Sequence, residues 1–92
     1  METDPLRDPR QRVVGTRETL KKIGQNSVVR VYVAKDSDAR LVQEVLTVCQ
    51  ARRVPLYYID SMAELGRLCG IEVAAACAAV IVPRPAKSTE GG

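Results

Sequence analysis

The segment Val13-Val14-Gly15-Thr16-Arg17-Glu18-Thr19-Leu20-Lys21-Lys22 joins a short apolar run to an amphipathic pattern, and the rest of the chain is organised around it. At about 100° per residue, Leu20 and Ile23 fall on one side of a helix. The opposite side carries Arg17, Glu18, Lys21 and Lys22. We therefore predict a helix with one buried face and one charged face.

The composition is that of one folded domain. The chain has 92 residues, of which 46% are hydrophobic, and this excludes a disordered polymer. Its aromatic residues are three tyrosines, so we predict an aliphatic core. No apolar run is long enough to span a membrane and no signal peptide is recognisable, so we expect a cytoplasmic protein.

The types of residue present argue against catalysis. Cys49, Cys69 and Cys77 lack the C-x-x-C spacing of metal and redox motifs, and we interpret them as buried, reduced side chains. The chain has no histidine, which removes Ser-His and Cys-His nucleophile activation and most zinc chemistry. We predict a protein that is not an enzyme and that has no cofactor or metal.

The positive charge is concentrated in the first third of the chain. Residues 1–30 contain seven basic and four acidic side chains, whereas residues 31–92 contain seven of each. A local basic excess suits a polyanion such as RNA, although a solvated surface has the same composition.

Hydrophobic periodicity predicts four strands alternating with three helices. The strands are expected at 13–14, 28–34, 54–59 and 77–82, and the helices at 16–24, 38–51 and from the capping box at 61–64 to Cys69. Gly15 is expected to begin the first helix, and Gly24 and Gly70 to end the first and third. The predicted buried face of the second helix comprises Leu41, Val42, Val45, Leu46, Val48 and Cys49.

This βαβαβαβ pattern predicts an α/β fold, a three-layer α/β/α sandwich around a four-stranded sheet. The last strand is the most apolar and should be central, while Pro55 predicts an edge position for the third. We expect an amino-terminal segment over 1–11 that is flexible or partly helical, with a turn near 4–9. The α/β domain should cover 12–82, and a disordered tail 83–92.

Three pieces of sequence together resemble a known family. They are Gly15-Thr16-Arg17-Glu18-Thr19-Leu20-Lys21, Val33-Ala34-Lys35-Asp36-Ser37-Asp38 and Leu65-Gly66-Arg67-Leu68-Cys69-Gly70-Ile71-Glu72-Val73-Ala74-Ala75. Their order and spacing resemble the kink-turn-binding ribosomal proteins of the "L seven Ae" type, especially the small bacterial members. The resemblance covers roughly residues 12–82.

The resemblance implies a mixed sheet in the order 1-4-2-3 and binding to kink-turns, which are sharply bent RNA helices with tandem G·A pairs. It implies that Arg17, Glu18 and Lys21 contact the G·A guanines. A loop at 71–73 would cover the extruded base, whose pocket Asp38 and Val42 would line. The resulting candidate RNA-binding residues are Gly15, Thr16, Arg17, Glu18, Lys21, Lys22, Lys35, Asp38, Val42, Ile71, Glu72 and Val73.

Two positions depart from the family pattern. Many members have Asn where this chain has Arg17, and a common Lys is replaced by Met62. Arginine can donate to guanine O6 and N7 but cannot accept a hydrogen bond as asparagine can. The partner would be a kink-turn in ribosomal RNA or a riboswitch, bound by a monomer that acts on the ribosome or in RNA folding.

Two other functions remain open at this point. The first is a protein-interaction module of the same fold, working in a ribonucleoprotein without kink-turn specificity. The second is a small enzyme or phospho-acceptor that uses Asp36 and Asp38, two carboxylates that directly follow a buried strand. These carboxylates also suit a simpler role as helix caps.

Overall fold

The computed structural model describes residues 4–82. Its elements are a short 3₁₀ helix (Asp4–Arg7), β1 (Arg12–Val14), α1 (Thr16–Gly24), β2 (Val28–Ala34), α2 (Ala39–Arg52), β3 (Leu56–Ile59), α3 (Met62–Leu68) and β4 (Cys77–Ile81). The predicted tail, and the first residues of the predicted amino-terminal segment, lie outside the described residues. No helix within the described range is both long and apolar enough to cross a membrane.

The four strands form one mixed sheet in the order β1-β4-β2-β3, as predicted. β4 runs antiparallel to both β1 and β2, whereas β2 and β3 are parallel. Ala79 pairs with Val13 on one side and with Val31 on the other, so β4 is central and is buried by neighbours on both sides. β3 is an edge strand of the sheet, as Pro55 predicted.

Side-chain alternation along the strands divides the core into two layers. Tyr32 and Ala34 face α3 and the 3₁₀ helix, whereas Val31 and Val33 face α1 and α2. The alanines of β4, at 78 and 79, are completely buried and let helices approach both faces closely. This confirms the predicted three-layer α/β/α sandwich.

The prediction of a wholly aliphatic core is wrong at Tyr32. This tyrosine is completely buried and is the largest of the buried side chains. Its hydroxyl accepts a hydrogen bond from Nε of Arg30 at 2.9 Å, and its ring stacks on Tyr57 at a centroid distance of 5.7 Å. Burial is possible because the polar end of the ring is satisfied.

α1 ends at Gly24, as predicted, but Gly24 does not adopt a left-handed conformation. It is the last helical residue, and the positive φ (58°) occurs two residues later, at Asn26. Asparagine tolerates this conformation because its short polar side chain can bond locally. Gly70, with φ at 74°, follows α3 as predicted.

All three cysteines are buried and free. Burial raises the pKa of each thiol, in the case of Cys49 to about 11. They therefore stay protonated at neutral pH, as expected for small core side chains.

The amino-terminal segment contributes a core residue that the sequence did not reveal. Leu6 is completely buried in the layer that contains Tyr32 and Leu65. Arg12 holds the segment in place, since its Nε donates to the Leu6 carbonyl at 2.9 Å and its guanidinium donates to the Cys69 carbonyl at 3.3 Å.

The loop between α3 and β4 is fixed against α3 by its backbone. The amide of Ile71 donates to the Gly66 carbonyl at 3.1 Å, and that of Ala75 donates to the Met62 carbonyl at 3.1 Å. A Cβ atom at Gly66 would overlap the Val73 carbonyl oxygen. Glycine is therefore required at position 66 for the close approach of the loop.

Leu6→Ala should lower the free energy of unfolding by about 2–5 kcal/mol, because it leaves a cavity in the core. Urea denaturation followed by circular dichroism measures the loss. Arg7→Ala is the control, since Arg7 is exposed and its replacement should cost less than about 0.5 kcal/mol. Equal stability of the two variants would mean that Leu6 does not pack in the core.

Gly66→Ala should destabilise the protein by about 1–3 kcal/mol, because the added methyl group forces the loop away from α3. Gly24→Ala is the matched control in another helix, where an added Cβ meets nothing within 4 Å. That change should stabilise the protein by up to about 1 kcal/mol through helix propensity. Urea midpoints that rise for both variants would contradict the described loop packing.

Candidate nucleic-acid interface

Three strands end at the same edge of the sheet. β1, β2 and β3 all run opposite to β4, so their carboxyl ends meet where β4 begins. Backbone bonds join the strand ends: Gly15 N to Cys77 O at 2.8 Å, Ala34 N to Ala76 O at 2.9 Å, and Lys35 N to Ile59 O at 2.8 Å. We call the segments 15–18, 35–38, 60–62 and 71–76 the carboxyl edge.

The first turn of α1 lies on the carboxyl edge without a side-chain cap. Gly15 is the N-cap residue, and its backbone (φ 102°, ψ 157°) is one that other residues resist. An added Cβ would meet nothing within 4 Å, so conformation rather than space favours glycine. Because glycine has no side chain to bond the first-turn amides, these N–H groups remain available to an anionic ligand.

The charged face of α1 is open to solvent. Arg17, Glu18 and Lys21 are exposed and Lys22 is half-buried, while the inner face contains Thr19 and Ile23. None of the ion pairs within the described residues involves the three exposed charges. They are therefore free to contact a ligand.

Thr19 was not anticipated as a buried residue. Its side chain is completely buried, and its hydroxyl accepts a hydrogen bond from the Cys77 thiol over 3.6 Å. The contact connects α1 to the first residue of β4 and so helps to fix the helix at the carboxyl edge.

The carboxylates after β2 accept hydrogen bonds from the first turns of two helices. Asp36 accepts a hydrogen bond from the Met62 amide at 2.8 Å, and Asp38 caps α2 by accepting from the Arg40 amide at 2.9 Å. Lys35 forms an exposed ion pair with Asp60 at 3.4 Å, of the kind that contributes little stability. Within residues 4–82, no cluster of side chains suits a metal ion. Asp38 thus caps α2 as predicted, whereas Asp36 binds the first amide of α3, whose N-cap residue is Ser61.

The loop at 71–73 presents its apolar residues unequally. The side chain of Val73 is 67% exposed, whereas Ile71 is half-buried and packs against the core. Glu72 is exposed beside them. Val42 lies on the buried face of α2, where it packs in the core, and it is only 5% exposed to solvent. Any role of these residues in binding stays a prediction.

The carboxyl edge thus brings the predicted segments together. One residue near it, Leu41, is not where the sequence predicted it. Leu41 was predicted on the buried face of α2, but its side chain is 56% exposed. It lies in a groove between α1 and α2, together with Arg17, Leu20 and Lys21. Helical periodicity did not predict this exposure, because Leu41 lies at the border of the apolar face, beside Val42.

Sequence comparison places the geometry in a family. Residues 2–90 match the profile of the ribosomal protein L7Ae/L30e/S12e/Gadd45 family. An RNA-binding protein of Caldanaerobacter subterraneus subsp. tengcongensis is 43% identical over 80% of this chain and 90% of its own length. An RNA-binding protein of Bacillus pumilus is 37% identical over 89% of this chain and 100% of its own.

Solved structures show the same fold. The Giardia lamblia 15.5kD RNA binding protein superimposes with a TM-score of 0.77, covering 86% of this chain and 69% of that one at 24% identity. A protein with unknown function from Bacillus halodurans C gives the same TM-score at 19% identity, covering 86% of this chain and 79% of its own. With the profile match spanning nearly all of its length, the chain belongs to the ribosomal protein L7Ae/L30e/S12e/Gadd45 family.

Proposed function

We propose that this protein binds RNA through the carboxyl edge and recognises kink-turns, as a cytoplasmic monomer without catalytic activity. Its role would be on the ribosome or in RNA folding, where it holds the bent form of the RNA by binding it preferentially. The observation that carries the proposal is the exposed Glu18 carboxylate, which stands among cations at the open start of α1.

Glu18 is the residue that distinguishes a protein that recognises base edges from one that binds only the phosphate backbone. A carboxylate is repelled by the phosphate backbone, so a protein that binds backbone alone gains nothing from it. It is useful where it accepts hydrogen bonds from a base edge, such as guanine N1–H and N2–H. The guanines of G·A pairs offer these donors.

The groups around Glu18 suit the remaining contacts. Arg17 can donate to guanine O6 and N7, the commonest specific contact of arginine with bases. Lys21 can donate to the same guanine edges, and the free amides of the first turn can bind phosphates. These positive groups explain how RNA approaches a surface that also contains a carboxylate.

Val73 supplies an apolar surface on the same edge. An unstacked base in a bent RNA needs such a surface to replace the stacking that it loses. The side chain of Met62 packs against the core beside this loop, at the position where a lysine is common in the family pattern. We therefore expect the loop to cover the base by apolar contact, with one cation fewer.

The relatives support the coarser part of the proposal. The two curated relatives compared above are named as RNA-binding proteins, and this chain covers 90% or more of the length of each. A protein-interaction module without kink-turn specificity is the alternative, and the experiment below separates the two.

Glu18→Gln should change binding to two RNAs in opposite directions. It should weaken binding to a kink-turn by about tenfold, because a neutral amide accepts more weakly from the guanine edge. It should slightly strengthen binding to a straight duplex of equal length, because a negative charge is removed. Gel-shift titrations at one fixed salt concentration measure both.

Lys21→Gln and Arg53→Gln complete this design. Lys21→Gln should weaken the kink-turn complex markedly, whereas Arg53→Gln removes the same charge beyond the far end of α2 and should have little effect. The proposal fails if Glu18→Gln strengthens binding to both RNAs, which is the behaviour of a backbone binder. Absence of RNA binding by the unaltered protein at low salt would favour the interaction module.

A further inference from the structure

The amino ends of β1, β2 and β3 lie at the end of the sheet opposite to the carboxyl edge. We call the segments 24–28 and 52–55 the amino edge. Both α1 and α2 end here, and a groove of about 200 Å³ lies between their last turns. Asn26, Arg52 and Arg53 are among the residues that line it. This groove shares no residue with the one in which Leu41 lies.

The amino edge has positive charge that no carboxylate of the neighbouring chain compensates. The two stretches that contain it, 19–34 and 45–59, have five basic residues and no aspartate or glutamate. The carboxyl edge, by contrast, contains carboxylates at positions 18, 36, 38, 60 and 72. A surface of uniform positive charge attracts a polyanion whatever its sequence.

The two arginines of the amino edge are exposed and are held differently. Nη1 of Arg52 donates to the Ile23 carbonyl at 3.3 Å and to Oδ1 of Asn26 at 3.0 Å, so this guanidinium is fixed beside the groove. Within residues 4–82 the side chain of Arg53 forms no hydrogen bond or ion pair. Nε and Nη2 of Arg52 and the whole guanidinium of Arg53 can therefore donate to an anion.

Arg53 occupies a position where the backbone favours glycine. It ends α2 in the left-handed conformation, with φ at 60° and ψ at 38°. Glycine or asparagine usually takes this position after a helix, because the conformation crowds a larger side chain. A cation at a helix C-terminus is favourable to the helix dipole, which is one reason for an arginine here. Donation to an anionic ligand is a second reason, and measurements of stability and of binding distinguish the two.

We infer that the amino edge binds the phosphate backbone of a second RNA helix, so that the protein joins two RNA segments at opposite ends of its sheet. The groove, at about 200 Å³, is smaller than the sites of about 300–1,000 Å³ that enclose small molecules, so it suits a phosphate better than a whole nucleotide. Arginine matches phosphate oxygens with two parallel hydrogen bonds. The inference rests on RNA as the ligand of the proposed function, and it does not require kink-turn specificity.

An acidic protein is the other polyanion that such a surface attracts. Stable protein interfaces are anchored by aromatic or large apolar side chains at their centre. Among the described residues that line the groove there is no aromatic side chain, and Ile23, Val28 and Val54 are buried or half-buried. The exposed groups of the groove are thus mainly polar and cationic, which favours RNA.

The amino edge and the carboxyl edge face away from each other. β2 runs from one to the other, and its seven residues span about 20 Å. A short kink-turn held at the carboxyl edge therefore leaves the amino edge free, and Arg53→Gln should hardly change its binding. A second helix can approach from the opposite side of the molecule.

The experiment saturates the full chain with one equivalent of a short kink-turn RNA and then adds a fluorescent straight RNA duplex. Fluorescence anisotropy should show that the duplex binds the preformed complex, with an affinity that falls as salt rises. Arg53→Gly should weaken this second binding by about threefold to tenfold and reduce its salt slope by about 0.9, the loss of one phosphate contact. Arg52→Gln should have an effect of the same size.

Arg40→Gln is the matched control, because it removes the same charge from the exposed start of α2. It should leave duplex binding within about twofold, since charges this far apart are screened. Urea denaturation of Arg53→Gly controls for folding, and its midpoint should not fall, because glycine fits the left-handed conformation. A lower midpoint with unchanged duplex binding would assign Arg53 to helix stability and overturn the inference.

The outcomes separate this inference from the proposed function. If the duplex does not bind the preformed complex at low salt, or if Arg40→Gln and Arg53→Gly lose equally, the amino edge is overturned and kink-turn recognition stands. If the protein does not prefer a kink-turn to the same RNA with Watson–Crick pairs, the proposed function fails. The inference then stands only if the duplex shifts the amide resonances of residues 24–28 and 52–55 in the free chain.

An acidic protein partner has its own signature. A poly-glutamate peptide would bind the preformed complex more tightly than the duplex does, and Arg53→Gly would abolish that binding. This result would assign the amino edge to a protein and overturn the inference. Tighter binding of the duplex than of the peptide at the same salt concentration supports RNA.

Discussion

The placement of β4 between β1 and β2 is the constraint on which the structure depends. Because β4 runs antiparallel to both neighbours, the carboxyl ends of three strands are brought to the edge where β4 starts. The amide of Gly15, at the start of α1, donates to the carbonyl of Cys77, the first residue of β4. The amide of Ala34, at the end of β2, donates to the carbonyl of Ala76, which precedes β4. Segments from four parts of the chain thus become one surface through backbone pairing alone.

This backbone frame also fixes the direction of the charged face of α1. Thr19 and Ile23 bury the inner side of α1 against the sheet, which turns Glu18 and its neighbouring cations outward. On the other side of the edge, the close contact of the loop with Gly66 leaves Val73 exposed. The polar and apolar groups of the carboxyl edge therefore come from different elements, and their spacing is set by the sheet.

Local sequence patterns were sufficient to predict most of the helices and strands. Period-3.6 and β-branched runs placed the helices and strands to within about two residues, and the resemblance of three motifs supplied the strand order. Features that depend on distant contacts were missed: Leu6 lies among prolines and charges with no periodicity, and Tyr32 is buried because Arg30 and Tyr57 meet it. Leu41 shows the limit of a helical wheel, since exposure of a border residue depends on how closely α1 approaches. For the candidate site, the sequence proposed the residues, and the structure shows that most of them share one edge.

The most direct measurement is a backbone amide NMR titration of the full chain with kink-turn RNA. The central claim is that the carboxyl edge and the adjoining charged face of α1 form one binding surface. We expect the large shift changes to lie in residues 15–22, 35–42 and 71–75, and to disappear when the G·A pairs are replaced by Watson–Crick pairs. Shift changes centred on residues 24–28 and 52–55, at the opposite edge of the sheet, would contradict the claim, as would equal changes with both RNAs.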